Sequence, residues 1–171
     1  AFEARLYAED PANGFLPATG LLEHLSFSDT ARNDTGVANG DAISPYYDPM
    51  IAKVITHGPD RDSARLALLK AMRGTHVVGT ATNADFLVAL TAHEGFSAGD
   101  FDTGLIARDL DQLVAGAGPG TAHLAFAAIA ALRIDPAKRH LGWRLWGKAR
   151  HELTFLAKGA ATVAPFCAQY Q

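Results

Sequence analysis

The sequence contains a single cysteine, and that scarcity excludes several classes of protein. With only Cys167 among 171 residues, neither an internal disulfide nor a multi-cysteine metal site can form. An unbroken run of about 18 apolar residues, which a membrane-spanning helix needs, is also missing. Charge of one sign does not dominate, because 15 lysines and arginines stand against 18 aspartates and glutamates. This balance argues against the basic surface of a nucleic-acid-binding or anionic-membrane-binding protein.

The common catalytic motifs are missing as well. The sequence has no G-x-S-x-G, no P-loop, no G-x-G-x-x-G and no H-E-x-x-H. Its seven histidines are scattered, and none has metal-ligand spacing beside a cysteine or a carboxylate cluster, so no metal site is expected. The glycine-rich stretch 116–120 follows no predicted strand and precedes no lysine, which favours a linker over a phosphate-binding loop.

What the sequence does contain is a series of short strands in its first sixty residues. Apolar and charged residues alternate over 2–6, as in a strand with one buried face. The run 50–57 predicts a longer strand with Lys53 in its middle, and Asn39-Gly40 predicts a tight hairpin turn. The sequence therefore predicts mostly antiparallel strands here.

Helical patterns replace the strands after residue 60. They predict a helix over 60–73, a short strand over 75–78, a second helix capped by Thr82 or Asn83, and a third capped by Thr103. On the third helix, the apolar residues that share one face and are predicted to point into the core are Ile106, Leu110 and Leu113.

Small, flexible residues at 114–120 mark the clearest boundary in the chain. Beyond them we predict one Ala-rich helix. Alternating patterns around Trp143 and Leu153 then predict the opening strands of an all-β unit. Because the sequence starts within a predicted strand, without an initiator Met, and stops without a cap, we expect it to be a piece of a longer polypeptide.

Two residues are candidates for binding on chemical grounds. Arg32 is permanently charged and offers five N–H donors, which suits an oxyanion or a carboxylate-like group, but the residues alone favour a surface ion pair with Asp34. Leu105 lies one residue off the apolar stripe of its helix, where it is either a pocket wall for a flat ligand or an isolated surface leucine. Tyr46 and Tyr47 are expected to cover an edge of the core.

Several longer motifs follow one another in a specific order. They are FEARLYAEDP at 2–11, FLP at 15–17, RNDTG at 32–36, SPYYDPMIAK at 44–53, GTATN at 79–83 and FDTGLI at 101–106. This series resembles the C-terminal part of the biotin carboxylase component of biotin-dependent acyl-CoA carboxylases. The resemblance covers about the first 113 residues.

The resemblance implies an α+β fold. An antiparallel sheet with a helix cluster would form the biotin carboxylase C-terminal domain, followed by a helix and the first strands of a truncated β-barrel-like domain. The expected divisions are 1–24 for the end of the ATP-grasp part, 25–113 for the C-terminal domain, 114–120 for the linker and 121–171 for the start of a subunit-interaction domain.

The resemblance also implies a chemistry, because the family carboxylates biotin with bicarbonate, using ATP and Mg. Arg32 matches the arginine that binds the biotin ureido oxygen and the bicarbonate region, and Leu105 and Ile106 match the residues packed against adenine. His57 and Arg61 match positions near the homodimer contact. The ATP lid, the metal-binding glutamates and the catalytic base of the family would lie upstream. We therefore expect the chain to be inactive alone and to hold no cofactor tightly.

The implied partners are an upstream ATP-grasp half, a biotin carrier domain, a carboxyltransferase β subunit and a second copy of the chain, without nucleic acid or membrane. The GWRL motif at 142–145 favours the 3-methylcrotonyl-CoA type. The expected compartment is the cytoplasm, or the mitochondrial matrix for a eukaryotic source. The alternative hypothesis is a non-catalytic assembly or binding module that retains the fold.

Overall fold

Strands dominate the first half of the chain and helices follow them, as a computed structural model of residues 1–116, 120–135, 149–155 and 164–170 shows. Two units, Ala1–Gly116 and Ala117–Gln171, divide the chain. In the described residues of the first unit, strands β1 to β9 are Phe2–Tyr7, Glu9–Asp10, Leu16–Pro17, Gly20–Leu21, His24–Ser26, Arg32–Thr35, Ala42–Ile43, Met50–Thr56 and His76–Val78. Its helices α1 to α4 are Arg61–Arg73, Ala84–Ala92, Glu94–Ala98 and Leu105–Leu113.

A three-stranded antiparallel sheet in the order β1-β8-β6 forms the centre of the first unit. Because side chains alternate between the faces of a strand, the pairing register decides which residues are buried. Leu6 lies opposite Ala52 on the core face, and both side chains are buried. Arg5 and Asp34 flank Lys53 from the two sides, so one row of charged residues crosses the other face.

Helix α1 covers the core face of this sheet. The Asp60 side chain caps the helix by accepting a hydrogen bond from the Ser63 backbone N–H at 2.7 Å. Leu68 and Met72 are buried against the sheet residues, and the Thr56 hydroxyl at the end of β8 donates to the Ala64 carbonyl at 2.9 Å. The predicted helix over 60–73 is therefore confirmed to within one residue.

Asn83 joins the sheet to the helices. Its side-chain oxygen accepts a hydrogen bond from the Tyr7 N–H at 2.9 Å, and its amide nitrogen donates to the Arg5 carbonyl at 3.2 Å and the Glu9 carboxylate at 2.9 Å. Burial raises the pKa of Glu9, and the hydrogen bond from Asn83 partly opposes that rise. Asn83 precedes α2, but its side chain makes no capping bond; the Thr82 hydroxyl accepts from the Ala84 N–H at 3.4 Å instead.

The hairpin predicted at Asn39-Gly40 is wrong. A turn does occur there, with Gly40 at a φ of 90°, but the strands on either side do not pair with each other. Strand β6 pairs with β8, and β7 pairs with β4. The Asn39 side chain accepts a hydrogen bond from the Leu25 N–H, so this turn is held by a distant segment. Long-range pairing thus overrides the local turn signal.

Two predictions about apolar side chains are also wrong. Tyr46 and Tyr47 are 93% and 84% exposed, because they lie in the turn that precedes β8 and not on the strand itself. In α4 the prediction is wrong for Ile106, which is exposed while Leu105 is buried in its place; Leu113 is buried and Leu110 packs against the same cluster, as predicted. The buried face of α4 differs from the predicted one because the backbone leaves helical geometry at Asp109, with a φ of −112° and a ψ of 17°.

The second unit contains helix α5, Thr121–Ala131, and strands β10, Ala149–Phe155, and β11, Ala164–Tyr170. The predicted Ala-rich helix and the strand around Leu153 are confirmed, and β10 and β11 pair antiparallel. The prediction around Trp143 lies outside the described residues, and the truncated barrel stays a prediction. Within the described residues, every helix is too short or too polar to cross a membrane.

The α+β class with antiparallel sheets and a helix cluster is confirmed. The predicted division at residue 24 stays a prediction. It falls inside the first unit, because β1 shares a sheet with β8 and β6.

Replacing Asn83 by Ala should lower the free energy of unfolding by about 1–3 kcal/mol, because the Tyr7 N–H loses its acceptor in a partly buried position. Denaturant titration of the 171-residue chain measures this change. The matched control is Asn13→Ala, which removes an amide that donates to the exposed Asp10 carboxylate, with an expected change within about 0.5 kcal/mol. Equal losses in the two variants would contradict the role given to Asn83.

Candidate active site

Arg32 lies on β6, at the edge of the central sheet, and its side chain is 75% exposed. Its Nε and Nη2 atoms donate to the two carboxylate oxygens of Asp34, each at 2.9 Å. The two side chains meet because residues i and i+2 of a strand share a face. The surface ion pair that the sequence allowed is therefore present, and its two parallel bonds fix the plane of the guanidinium group.

Lys53 is the cross-strand neighbour of Asp34. The two residues lie directly opposite each other in the antiparallel pairing of β6 with β8. The hydrogen bond from Arg32 lowers the pKa of Asp34, desolvation opposes this shift, and the positive charges of Arg32 and Lys53 add to the lowering. Asp34 therefore stays a carboxylate between two cations.

The ion pair leaves one edge of the Arg32 guanidinium open. A guanidinium carries five N–H groups, and only those on Nε and Nη2 meet Asp34. Within the described part of the chain, Nη1 makes no hydrogen bond. A cation with a fixed plane and free N–H groups can bind a carbonyl or an oxyanion.

A cavity of about 270 Å³ opens beside this ion pair. Asp34 borders it, together with Tyr47 and Asp48 from the turn before β8. The exposed Tyr47 thus forms one side of an open recess next to the Arg32 strand.

A second cavity, of about 370 Å³, lies at the start of α4. Its lining is almost wholly apolar and consists of Leu90, Phe96, Phe101, Asp102, Thr103, Leu105 and Ile106. The hypothesis that Leu105 lies off the core face is wrong: only 4% of it is exposed, and it packs with Phe86 and Leu113. Leu105 forms the floor of the cavity, and Ile106, at 37% exposed, forms its rim.

Arg61 supports the wall of this second cavity. Its guanidinium carbon lies 5.5 Å from the ring centroids of Phe2 and Phe96 and 5.9 Å from that of Phe101. It also donates to the Ser97 carbonyl at 2.8 Å and the Phe96 carbonyl at 2.6 Å. Phe96 and Phe101 line the cavity, so Arg61 acts within the chain through cation–π contacts and hydrogen bonds.

Sequence reasoning missed this role of Arg61, because the three phenylalanines are dispersed and follow no motif. His57 is exposed after β8. The homodimer contact predicted for His57 and Arg61 stays a prediction. Among the described residues, no three His, Cys, Asp or Glu side chains are grouped as a metal site would require.

Comparison with known proteins identifies the family. The sequence profile of the biotin carboxylase C-terminal domain matches residues 3–108, which is more than half of the chain. The chain belongs to this family. The matched range contains β1 from its second residue, strands β2 to β9, helices α1 to α3 and the start of α4. Arg32, Leu105 and Ile106 thus lie within it.

The family assignment agrees with individual relatives. The chain is 47% identical over 122 residues to the mitochondrial methylcrotonoyl-CoA carboxylase subunit alpha of Dictyostelium discoideum, covering 70% of this chain and 18% of that protein. The chain thus spans less than a fifth of the length of this relative.

Two solved structures share the fold. The urea carboxylase of Kluyveromyces lactis is 42% identical with a TM-score of 0.58, over 60% of this chain and 9% of that one. The biotin carboxylase domain dimer of Hydrogenobacter thermophilus 2-oxoglutarate carboxylase, in complex with MgADP, ADP and bicarbonate, is 28% identical with a TM-score of 0.64. That match covers 68% of this chain and 26% of that one.

Replacing Arg32 by Ala should raise the pKa of Asp34 towards its ordinary value, because the anion loses a hydrogen-bond donor and a neighbouring positive charge. NMR titration of the side-chain carboxyl carbons measures the shift. The control is Arg108→Ala, which removes the partner of Asp102, at 2.7 Å, in a second exposed ion pair. It should raise the pKa of Asp102 and leave Asp34 unchanged. An unchanged Asp34 titration in Arg32→Ala would contradict the ion pair.

Proposed function

We propose that this chain supplies the C-terminal part of a biotin carboxylase site in an acyl-CoA carboxylase α subunit. The reaction would be the ATP-dependent carboxylation of biotin by bicarbonate. The observation that carries the proposal is Arg32, which the central sheet holds on its exposed edge with its guanidinium plane fixed and Nη1 open. The family assignment supports the reaction class.

Arg32 would stabilise negative charge on the ureido oxygen of biotin. A preorganised cation lowers the barrier most where charge develops during the reaction, and Arg32 needs no proton transfer to be charged. The free N–H groups on Nη1 are suited to this oxygen and to the bicarbonate beside it. ATP, with Mg, supplies the phosphoryl group that activates bicarbonate in this chemistry.

The apolar cavity at α4 would hold the adenine ring of ATP. Leu105 and Ile106 offer flat apolar contacts, and Phe96 and Phe101 provide aromatic surface on the same wall. A concave, mostly apolar pocket with few polar groups is typical of a cofactor site. An apolar lining suits adenine, because both flat faces of the ring are apolar and are buried on binding.

The remaining machinery would come from other parts of a longer subunit. We infer that an ATP-grasp half supplies the Mg ligands and the catalytic base, so the chain alone should be inactive and hold biotin, ATP and Mg weakly. A biotin carrier domain, a carboxyltransferase β subunit and a second copy through His57 and Arg61 complete the proposed partners. The methylcrotonoyl-CoA carboxylase relatives favour that acyl-CoA, and the mitochondrial matrix for a eukaryotic source.

The domain divisions are part of the same proposal. Residues 1–24 would complete the ATP-grasp part and 25–113 would form the C-terminal domain. Residues 114–120 would be a linker, and 121–171 would begin the domain that binds the carboxyltransferase subunit.

A complementation assay tests the proposal. The chain is mixed with the ATP-grasp half of a methylcrotonoyl-CoA carboxylase α subunit, and biotin- and bicarbonate-dependent ATP cleavage is measured. Activity should require both chains, and Arg32→Ala should reduce it by roughly 100-fold or more, because it removes a group that stabilises the transition-state charge. The matched control, Arg73→Ala, removes an exposed arginine at the end of α1 and should leave the rate unchanged.

Equal rates for the wild-type chain and Arg32→Ala would contradict the role of Arg32. ATP cleavage by the 171-residue chain alone would contradict the division of the site between two parts of the subunit. A complex that assembles without any ATP cleavage would favour the alternative, a non-catalytic assembly module.

The adenine contact makes a separate prediction. Ile106→Ala should raise the KM for ATP about tenfold, the effect of about 1.4 kcal/mol of lost contact, with little change in the KM for biotin. Ile106 suits this test because its partial exposure limits the effect on folding, whereas Leu105→Ala would also open a cavity in the core. The control is Ile129→Ala on α5, which truncates an isoleucine of similar exposure, 41%, and should leave both constants unchanged. An unchanged KM for ATP in Ile106→Ala would contradict the adenine site.

A further inference from the structure

We infer that Asp34, with Lys53 behind it, is a positioning residue for Arg32. The inference rests on the proposed function, since it concerns how the biotin-binding arginine is held. Both carboxylate oxygens of Asp34 face Arg32, so Asp34 would act through Arg32 and not on the substrate.

An exposed arginine needs such a partner. Its long side chain loses conformational entropy when it is fixed in one rotamer. Arg32 is 75% exposed, and within the described part of the chain its only hydrogen bonds are the two to Asp34. Without Asp34, the guanidinium group would sample many orientations, and few of them would point Nη1 towards one ligand position.

Lys53 makes the Asp34 carboxylate a stable anchor. Residues opposite each other in an antiparallel pair have their Cβ atoms about 5 Å apart, which places Lys53 next to Asp34. Arg5, on the other side of Lys53, already binds Glu3 at 3.2 Å. Lys53 therefore lies between an arginine with its own acidic partner and an aspartate, and its charge favours the anionic form of Asp34.

This arrangement explains why the Asp34 carboxylate does not prevent Arg32 from binding a ligand. Asp34 takes the edge of the guanidinium formed by Nε and Nη2, and the opposite edge stays available. When a ligand oxygen binds the Arg32 guanidinium group, the positive charge of Lys53 still stabilises the Asp34 carboxylate. The charge row thus holds Arg32 in place without neutralising the site.

The first arm of the test measures the mobility of Arg32 directly in the 171-residue chain. The NMR order parameter of the Arg32 Nε–H bond should fall below about 0.6, the range of flexible groups, in Asp34→Asn. Asp34→Glu keeps the charge and both oxygens and should restore part of the order. The control is Asp102→Asn, which removes the partner of Arg108 and should leave Arg32 unchanged. An Arg32 order parameter that is the same in Asp34→Asn and in the wild type would overturn the inference.

The second arm measures the consequence in the complementation assay. Asp34→Asn should lower kcat/KM for biotin by about 10- to 100-fold, the loss expected when a stabilising group is misplaced, with an unchanged KM for ATP. Asp34→Glu should recover part of this loss, and Lys53→Met should lower kcat/KM by a smaller factor. A loss that also raised the KM for ATP would overturn the inference, because it would indicate a general disturbance of the fold.

The two proposals can fail separately. If Arg32→Ala loses activity and Asp34→Asn does not, positioning by Asp34 is wrong and the proposed function stands. If Arg32→Ala keeps full activity, the proposed role of Arg32 in the reaction is wrong, and the order parameter alone decides whether Asp34 positions it. If the two chains together show no activity, the NMR order parameter again decides whether Asp34 positions Arg32.

Discussion

The two-residue alternation of β8 is the constraint on which the rest of the first unit depends. Strands β1 and β6 pair with β8 on its two sides, so the register of this one strand fixes the faces of three. Ala52 and Val54 point into the core, while Lys53 points away from it. A slip by one residue would bury Lys53 and expose Val54, which the cost of burying a charge forbids. The same register that builds the core therefore places the charged row on the opposite face.

Asn83 fixes the position of the helices relative to the central sheet. It satisfies the Tyr7 N–H and the Arg5 carbonyl, which lie on the edge strand β1, and it leads directly into α2. Helix α2 in turn supplies Phe86 to the second core cluster, against Leu105 at the start of α4. Buried polar groups need their partners, so this contact specifies how the strand and the helix meet. The two parts of the candidate site, Arg32 on the sheet and the cavity at α4, are thus built on one framework.

Sequence patterns predicted the elements in which apolar residues repeat at the short spacing of a strand or a helix. Strands β1 and β8 and helix α1 follow alternation or helical spacing over six or more residues, and the Arg32–Asp34 pair needs only a two-residue spacing. The failures come from long-range strand pairing and from local irregularities of the helices. The partners of β6 and β7 lie in distant segments, α3 is only five residues long, and the kink at Asp109 rotates the apolar face of α4. The aromatic cluster around Arg61 brings together rings far apart in sequence, which no local pattern encodes.

Exposure of the charged row has a physical consequence for a site divided between parts of a longer protein. An ion pair in water contributes little net stability, because its attraction is offset by the side-chain entropy lost in holding it, so fixing Arg32 at the surface has little net effect on folding. The same charges interact more strongly once water is excluded, because the effective dielectric constant falls. If another part of the subunit covers this face, the electrostatic interaction between the Arg32 guanidinium group and a bound anion becomes stronger when water is excluded. Under the proposed function, the domain would contribute a fixed cation, and the covering part would contribute the low dielectric that makes it effective.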